Sequence, residues 1–147
     1  MIKMKGILNT FNFENLLIKD YQNWYLLLRN SQITLGSLVL IEKHFHTKLS
    51  DISDESFEEF GEIVREIELV IEELFGYEKI NYLMLMMKDN EVHYHIIPRY
   101  SSTRIFDSLI FNDFGWPGLP DLKNCNDIEM DTKLKIKDLI KNRINNL

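Results

Sequence analysis

The sequence has almost no cysteine: Cys125 is the single thiol among 147 residues, so no disulfide can form within the chain and the core must hold the fold. Long apolar runs are missing as well. No stretch approaches the roughly 20 consecutive apolar residues that cross a bilayer, and the apolar run at 24–28 is far too short, so no membrane partner is expected. The opening residues 1–6 lead into neither an apolar segment nor a small-residue cleavage site, which, with the lone thiol, makes a cytoplasmic protein the expectation. Basic charge is scarce. Seventeen Lys and Arg against 23 Asp and Glu give a net charge of −6, which argues against a nucleic-acid partner, because such binding relies on a basic surface to displace counterions from phosphates. A small nucleotide is a different case, since only local charge decides its binding. Repeats, low-complexity tracts and linkers are also absent, and 45% hydrophobic content suits one domain over residues 1–147.

What is present reads as a mixture of strands and two helices. Residues 14–19, 23–29 and 37–42 have strand character, and 24–28 and 38–41 are too apolar for an exposed edge, which predicts burial on both faces. The polar stretch 30–36 between them reads as a loop, a place where ligand contacts collect. Residues 53–75 form the clearest helix, with Ser53 or Asp54 as a cap, Gly76 as a left-handed stop, and an apolar stripe of Phe57, Phe60, Val64, Ile67, Ile71 and Leu74. Its other face, with Glu58, Glu59, Glu62, Glu66, Glu72 and Glu73, reads as solvated. Residues 80–87 and 92–98 are two further strands joined by a short polar turn at 88–91. Beyond Arg99 strand character fades into a Gly- and Pro-containing loop at 112–120, in which Trp116 is an apolar anchor or part of a ligand wall, packing being the simpler reading, and a last helix spans about 127–146.

The candidate chemistry lies in Glu91-Val92-His93-Tyr94-His95-Ile96-Ile97-Pro98-Arg99-Tyr100. Period-two alternation puts Glu91, His93 and His95 on one face of a strand and Val92, Tyr94 and Ile96 on the other. Imidazole titrates near neutrality and serves as nucleophile, acid, base or metal ligand, so two rings on a rigid strand make a candidate site. A second pair, His44 and His46, leaves a strand for a loop. The two pairs together could make a zinc site, but nothing in the sequence brings them together, no cysteine accompanies them, and exposed loop positions explain the second pair adequately.

With residues 24–29, 32–37, 79–87 and 93–100, this stretch resembles the histidine triad (HIT) family of nucleotide hydrolases and transferases, over about residues 10–120. The family pattern is His-φ-His-φ-His-φ-φ, often followed by Pro-Arg. Aligned on Pro98-Arg99, its second and third histidines fall on His93 and His95 and its first on Glu91, which is similar to a two-histidine, Glu-x-His-x-His version in bacterial diadenosine polyphosphate hydrolase-like proteins. The resemblance implies an α+β, HIT-like fold: a five-stranded antiparallel sheet, one long helix, and a C-terminal loop and helix added.

The same resemblance implies hydrolysis or transfer at a nucleotide α-phosphate, with a dinucleoside polyphosphate or nucleoside phosphoramidate as substrate. His93 would be the nucleophile, His95 a donor to phosphate, and Glu91 a supporting group that orients a ring or a water. Arg29, Ser37, Lys88 and Arg99 are carried over as substrate contacts. It implies a homodimer; the residues themselves show no dedicated carboxylate cage, so no tightly bound cofactor or metal is expected beyond a Mg²⁺ ion that arrives with the substrate phosphates. A nucleotide-binding protein without turnover is the alternative, and a His-rich metal-binding protein the third reading.

Overall fold

The structure, a computed structural model, describes residues 5–147; residues 1–4, part of the opening read above for a leader, lie outside the described residues. Five strands form one antiparallel sheet: β1 (Leu17–Asp20), β2 (Trp24–Leu28), β3 (Leu38–Glu42), β4 (Lys79–Leu83) and β5 (His93–Arg99), in the order β1-β2-β3-β5-β4. The apolar runs take the interior. Leu26, Leu27, Leu28 and Leu38 through Ile41 have no solvent exposure, and complete burial of each such side chain is worth about 1.5–3 kcal/mol. This requires cover on both faces, and helices provide it.

One face is covered by α3 (Asp54–Phe75) and α4 (Met130–Asn145), whose Ile63, Ile67, Val70, Ile71, Ile136, Ile140 and Ile144 pack with Leu26, Leu38, Leu40 and Ile96. Ser53 starts α3 as expected, its Oγ accepting from Ser56 N at 3.1 Å, and Gly76 ends it at φ 61°. The buried stripe overlaps the expected one at Ile67 and Ile71, with Phe60 and Leu74 packed beside it, but extends to one side. Phe57 is 44% exposed, while Ser56 and Ile63 are buried, because the 3.6-residue period lets either row fit the sequence and only the sheet decides between them. Part of the acidic face is also engaged: Glu59 accepts from Asn23 N at 2.7 Å, and Glu66 from Lys19 Nζ at 3.2 Å. Arg143 on α4 pairs with Glu73 on α3. No helix among the described residues is long and apolar enough to cross a membrane.

The other face is covered by α1 (Gly6–Thr10), a short helix that buries Ile7, Leu8 and the following Phe11 against Leu27, Val39 and Ile41. Three expectations need correction. Residues 14–19 are not one strand: Phe13–Leu16 is a helical turn, α2, nucleated by left-handed Asn12 (φ 56°), whose side chain accepts from Asn15 Nδ2 at 2.9 Å. The segment after Arg99 is not free of strand. It contains a hairpin, β6 (Arg104–Phe106) and β7 (Leu109–Phe111), turned by Asp107 and Ser108 at φ 52° and 64°. Those are the conformations of a two-residue hairpin turn, built without the usual glycine that would announce it. Finally, β4 stops at Leu83, and residues 84–92 form a longer connection than the four-residue turn expected.

The loop between β2 and β3 is tied down from several sides. Gln32 Oε1 accepts from Gly36 N at 2.9 Å, and Thr34 Oγ1 donates to Pro98 O at 2.6 Å. Asn126 bonds Gln32 O, Ile33 O and Asn112 O through its Nδ2, joining this loop to β7 and to the segment before α4.

Gly36 and Gly76 both sit at positive φ, 83° and 61°, but a Cβ on Gly36 would lie 3.0 Å from the Phe75 ring while one on Gly76 would meet open space. Gly76→Ala should therefore cost only the left-handed penalty, about 1–2 kcal/mol. Gly36→Ala should cost clearly more, because the ring must also move. Urea denaturation of the two variants tests this ordering; equal losses would show that the loop is not seated on Phe75.

Candidate functional site

Strand β5 lies between β3 and β4, with His93 opposite Ile41 and His95 opposite both Val39 and Leu83. Tyr94 and Ile96 join the core under α3, so alternation turns His93 and His95 toward the face covered by α1. Phe11, just after α1, stands 5.7 Å from each ring. Because β4 ends at Leu83, beside His95, no strand partner lies next to His93 on that side. The chain departs through residues 84–92, with Met86 at φ 50°, and leaves a cavity of about 380 Å³. Its lining includes Thr10, Phe11, Arg29, Leu85, Met86, Lys88, Asp89, Leu122 and both rings. His93 is 2% and His95 8% exposed, so both belong to its floor.

Hydrogen-bond partners fix the protonation of the two rings in opposite senses. His93 Nδ1 lies 2.7 Å from Glu91 O. A carbonyl only accepts, so Nδ1 carries the proton and, in the neutral ring, Nε2 is a lone pair. His95 Nδ1 lies 3.2 Å from Arg29 Nε, and a guanidinium only donates, so here Nδ1 accepts and the proton is on Nε2. The ring centroids are 5.0 Å apart at 77°. One cavity floor thus holds an acceptor nitrogen and a donor nitrogen side by side. Burial, then the Arg29 charge, then His93 lower the pKa of His95 to about 4, so it is neutral at physiological pH. Burial also lowers the pKa of Arg29, which nevertheless stays charged.

Of the residues singled out in the sequence, the structure brings His93, His95, Arg29 and Lys88 to this cavity and places three others elsewhere. Glu91 lies before the strand, not within it. Its carboxylate faces Lys5 at 3.8 Å, and the group it presents to the site is its carbonyl. Ser37 is fully buried, its Oγ donating to Thr34 O at 2.8 Å and accepting from Thr34 N at 3.0 Å, so it shapes the 30–36 loop. Arg99 is 3% exposed and is held by Asp113 through Nε at 2.7 Å and by Asn81 through Nη1 at 2.8 Å, at the far end of β5. It borders a second cavity with Lys79 and Trp116. His46 Nδ1 is 3.1 Å from buried Glu42 Oε1, and His44 Nε2 is 3.3 Å from Asn23 Oδ1. No group of three or more His, Cys, Asp or Glu side chains among the described residues is placed to hold a metal ion.

Sequence reasoning missed Phe11, Asp89 and Leu122. Ile7, Leu8 and Phe11 do carry a one-face helical spacing, but over five residues such a pattern is too short to stand out. Leu122 reaches the cavity from a loop with no periodicity at all.

No protein-family model and no curated protein matches the sequence. Solved structures do match. A histidine triad protein from Sinorhizobium meliloti superposes with a TM-score of 0.74 at 15% identity, covering 96% of both chains. One from Marinobacter aquaeolei gives 0.74 at 17% identity over 95% of both, and a hypothetical histidine triad nucleotide-binding protein from Sulfolobus tokodaii gives 0.68 at 16% identity over 95% of this chain and 90% of its own. The chain therefore has the HIT-like α+β fold, with its five-stranded antiparallel sheet.

The pKa of His95 implies a pH-dependent stability. The unfolded ring titrates near 6.5 and the folded ring near 4, so between these values the unfolded state binds the extra proton and folding weakens as pH falls. Thermal unfolding of wild type and His95→Gln from pH 7 to 4 should show wild type losing more stability across this window. Parallel curves would mean that His95 is not held neutral.

Proposed function

We propose that the protein binds a nucleotide with its phosphates over His93 and His95 and hydrolyses or transfers it at the α-phosphorus. The observation that carries this reading is the pair of opposite tautomers on one cavity floor. Nucleophilic attack at phosphorus requires an unprotonated nitrogen, which His93 Nε2 offers. The accumulating charge on phosphate and leaving-group oxygens requires a donor, which His95 Nε2–H offers. The likeness to a nucleotide-binding histidine triad protein supports the same substrate class.

In the first step the Nε2 lone pair of His93 forms a bond to the α-phosphorus, and the bond from phosphorus to the leaving group breaks with its electron pair. The ring becomes a cation, and Glu91 O stabilises it through Nδ1–H. In the second step water, or another acceptor, attacks phosphorus, loses its proton to solvent, and returns the lone pair to Nε2 as the N–P bond breaks. Dinucleoside polyphosphates fit this chemistry with a phosphate as the leaving group, and nucleoside phosphoramidates fit it with the departing nitrogen taking up a proton from solvent as the bond breaks. A cavity of about 380 Å³ with apolar walls at Phe11, Leu85, Met86 and Leu122 suits the rest of a nucleotide. Any Mg²⁺ belongs with the substrate phosphates, since Asp89 is a single carboxylate in the lining and does not make an oxygen cage.

His93→Asn should abolish AMP release from adenylylated or dinucleotide substrates while leaving the fold intact. Glu91→Gln, which keeps the carbonyl, should stay within about twofold of wild type, as substitutions away from the reacting groups do. Steady-state kinetics with a substrate panel reads both outcomes. Retained activity in His93→Asn would refute the nucleophile, and nucleotide binding without turnover in wild type would establish the binding-protein alternative.

A homodimer is supported by the edge position of β4, whose outer backbone groups have no strand partner among the described residues. Sedimentation equilibrium should give twice the chain mass at micromolar concentration; a monomer would overturn this.

A further inference from the structure

Arg29 is an unusual cation in this chain. Arg99, Arg104 and Arg143 each pair with a carboxylate and Arg65 is exposed to solvent, whereas Arg29 is drawn into the protein and has no carboxylate partner among the described residues. Its two hydrogen bonds go from Nε to His95 Nδ1 at 3.2 Å and from Nη1 to Ser31 O at 2.9 Å. These two anchors hold the planar fork in one orientation, with Nε aimed at the ring. We propose that Arg29 is a positioning residue for the reaction at His93, setting His95 as the Nε2–H donor, and that its unpaired charge is balanced by the substrate phosphate.

This role rests on the function proposed above for its substrate and on geometry for the rest. A neutral imidazole has one proton to place. Without a donor at Nδ1 the proton distributes between the two nitrogens, and the fraction on Nδ1 leaves no donor facing phosphate. The guanidinium removes that choice, because it has no acceptor atom and Nδ1 must remain a lone pair. Burial first, and the guanidinium second, keep His95 from becoming charged, so the positive charge that a phosphate needs must come from another group. Arg29 is that group, beside the ring and lining the same cavity. The other titratable groups there are His93 on the same strand and Lys88 and Asp89 on the 84–92 connection. Lysine keeps the charge but not this arrangement, since its donors radiate from one rotatable nitrogen and lack the rigid fork whose separate Nε and Nη1 reach the ring and Ser31 O.

The test is side-chain ¹⁵N NMR of the imidazole rings in wild type, Arg29→Met and Arg29→Lys, followed by kinetics on the same proteins. In wild type His95 should show a protonated Nε2 and a bare Nδ1, with titration near pH 4. In Arg29→Met it should become a tautomer mixture titrating closer to 6.5, while His93 keeps its proton on Nδ1. Turnover should drop by roughly tenfold to a hundredfold, the usual loss when an orienting partner is removed. Arg29→Lys, which keeps the charge, should hold KM closer to wild type than Arg29→Met does but share its loss of kcat. An unchanged His95 tautomer and titration in both variants overturns the proposal, as does a changed tautomer with unchanged kcat. A wild-type protein that turns over no nucleotide refutes the proposed function instead, and the NMR comparison still decides the role of Arg29 toward His95.

Discussion

The constraint on which the site depends is the two-residue period of β5. Tyr94 and Ile96 are committed to the core under α3, and a strand that puts those two inward has no freedom over His93 and His95. A slip of one residue would bury both imidazoles among isoleucines and expose Tyr94 and Ile96 to the face of α1. The hydrophobic core therefore fixes the direction of the polar pair, and the pairing to β3 fixes its height along the sheet.

Protonation is imposed in the same indirect way. Neither ring owes its tautomer to a carboxylate. A backbone carbonyl two residues upstream sets one, and an arginine from the end of β2 sets the other. Such partners do not titrate near neutrality, so the tautomer that each neutral ring takes is fixed by groups whose own charge state does not change.

Much of this was legible in the sequence because it follows from periodicity. The apolar runs of β2 and β3 announced interior strands, Ser53 and Gly76 marked both ends of α3, and His93 and His95 fell on one face by alternation. What could not be read depends on partners distant in sequence. Glu91 belongs to the alternation on paper, yet the strand begins after it: the β3 ladder that pairs Ile41 with His93 ends at Glu42, whose N–H donates to Val92 O. Arg99 and Ser37 looked available for a ligand because each lies next to the motifs, but Asp113 and Thr34 claim them. The turn at Asp107 and Ser108 lacked a glycine to reveal it. The approach of Arg29 to His95, 66 residues apart, needs the tertiary fold before it can be seen at all.

Asn126 gives the C-terminal third of the chain an influence on the site that its distance in sequence conceals. Its amide grips Gln32 O and Ile33 O, immediately after the Ser31 carbonyl that anchors Arg29, and Asn112 O beyond β7. The loop is thus clamped from outside the sheet, and residues 112–126 act as a brace for it. Evolutionary drift in this brace is not neutral toward the chemistry: a substitution that loosens it is transmitted through one loop to the arginine, and from there to the placement of a proton.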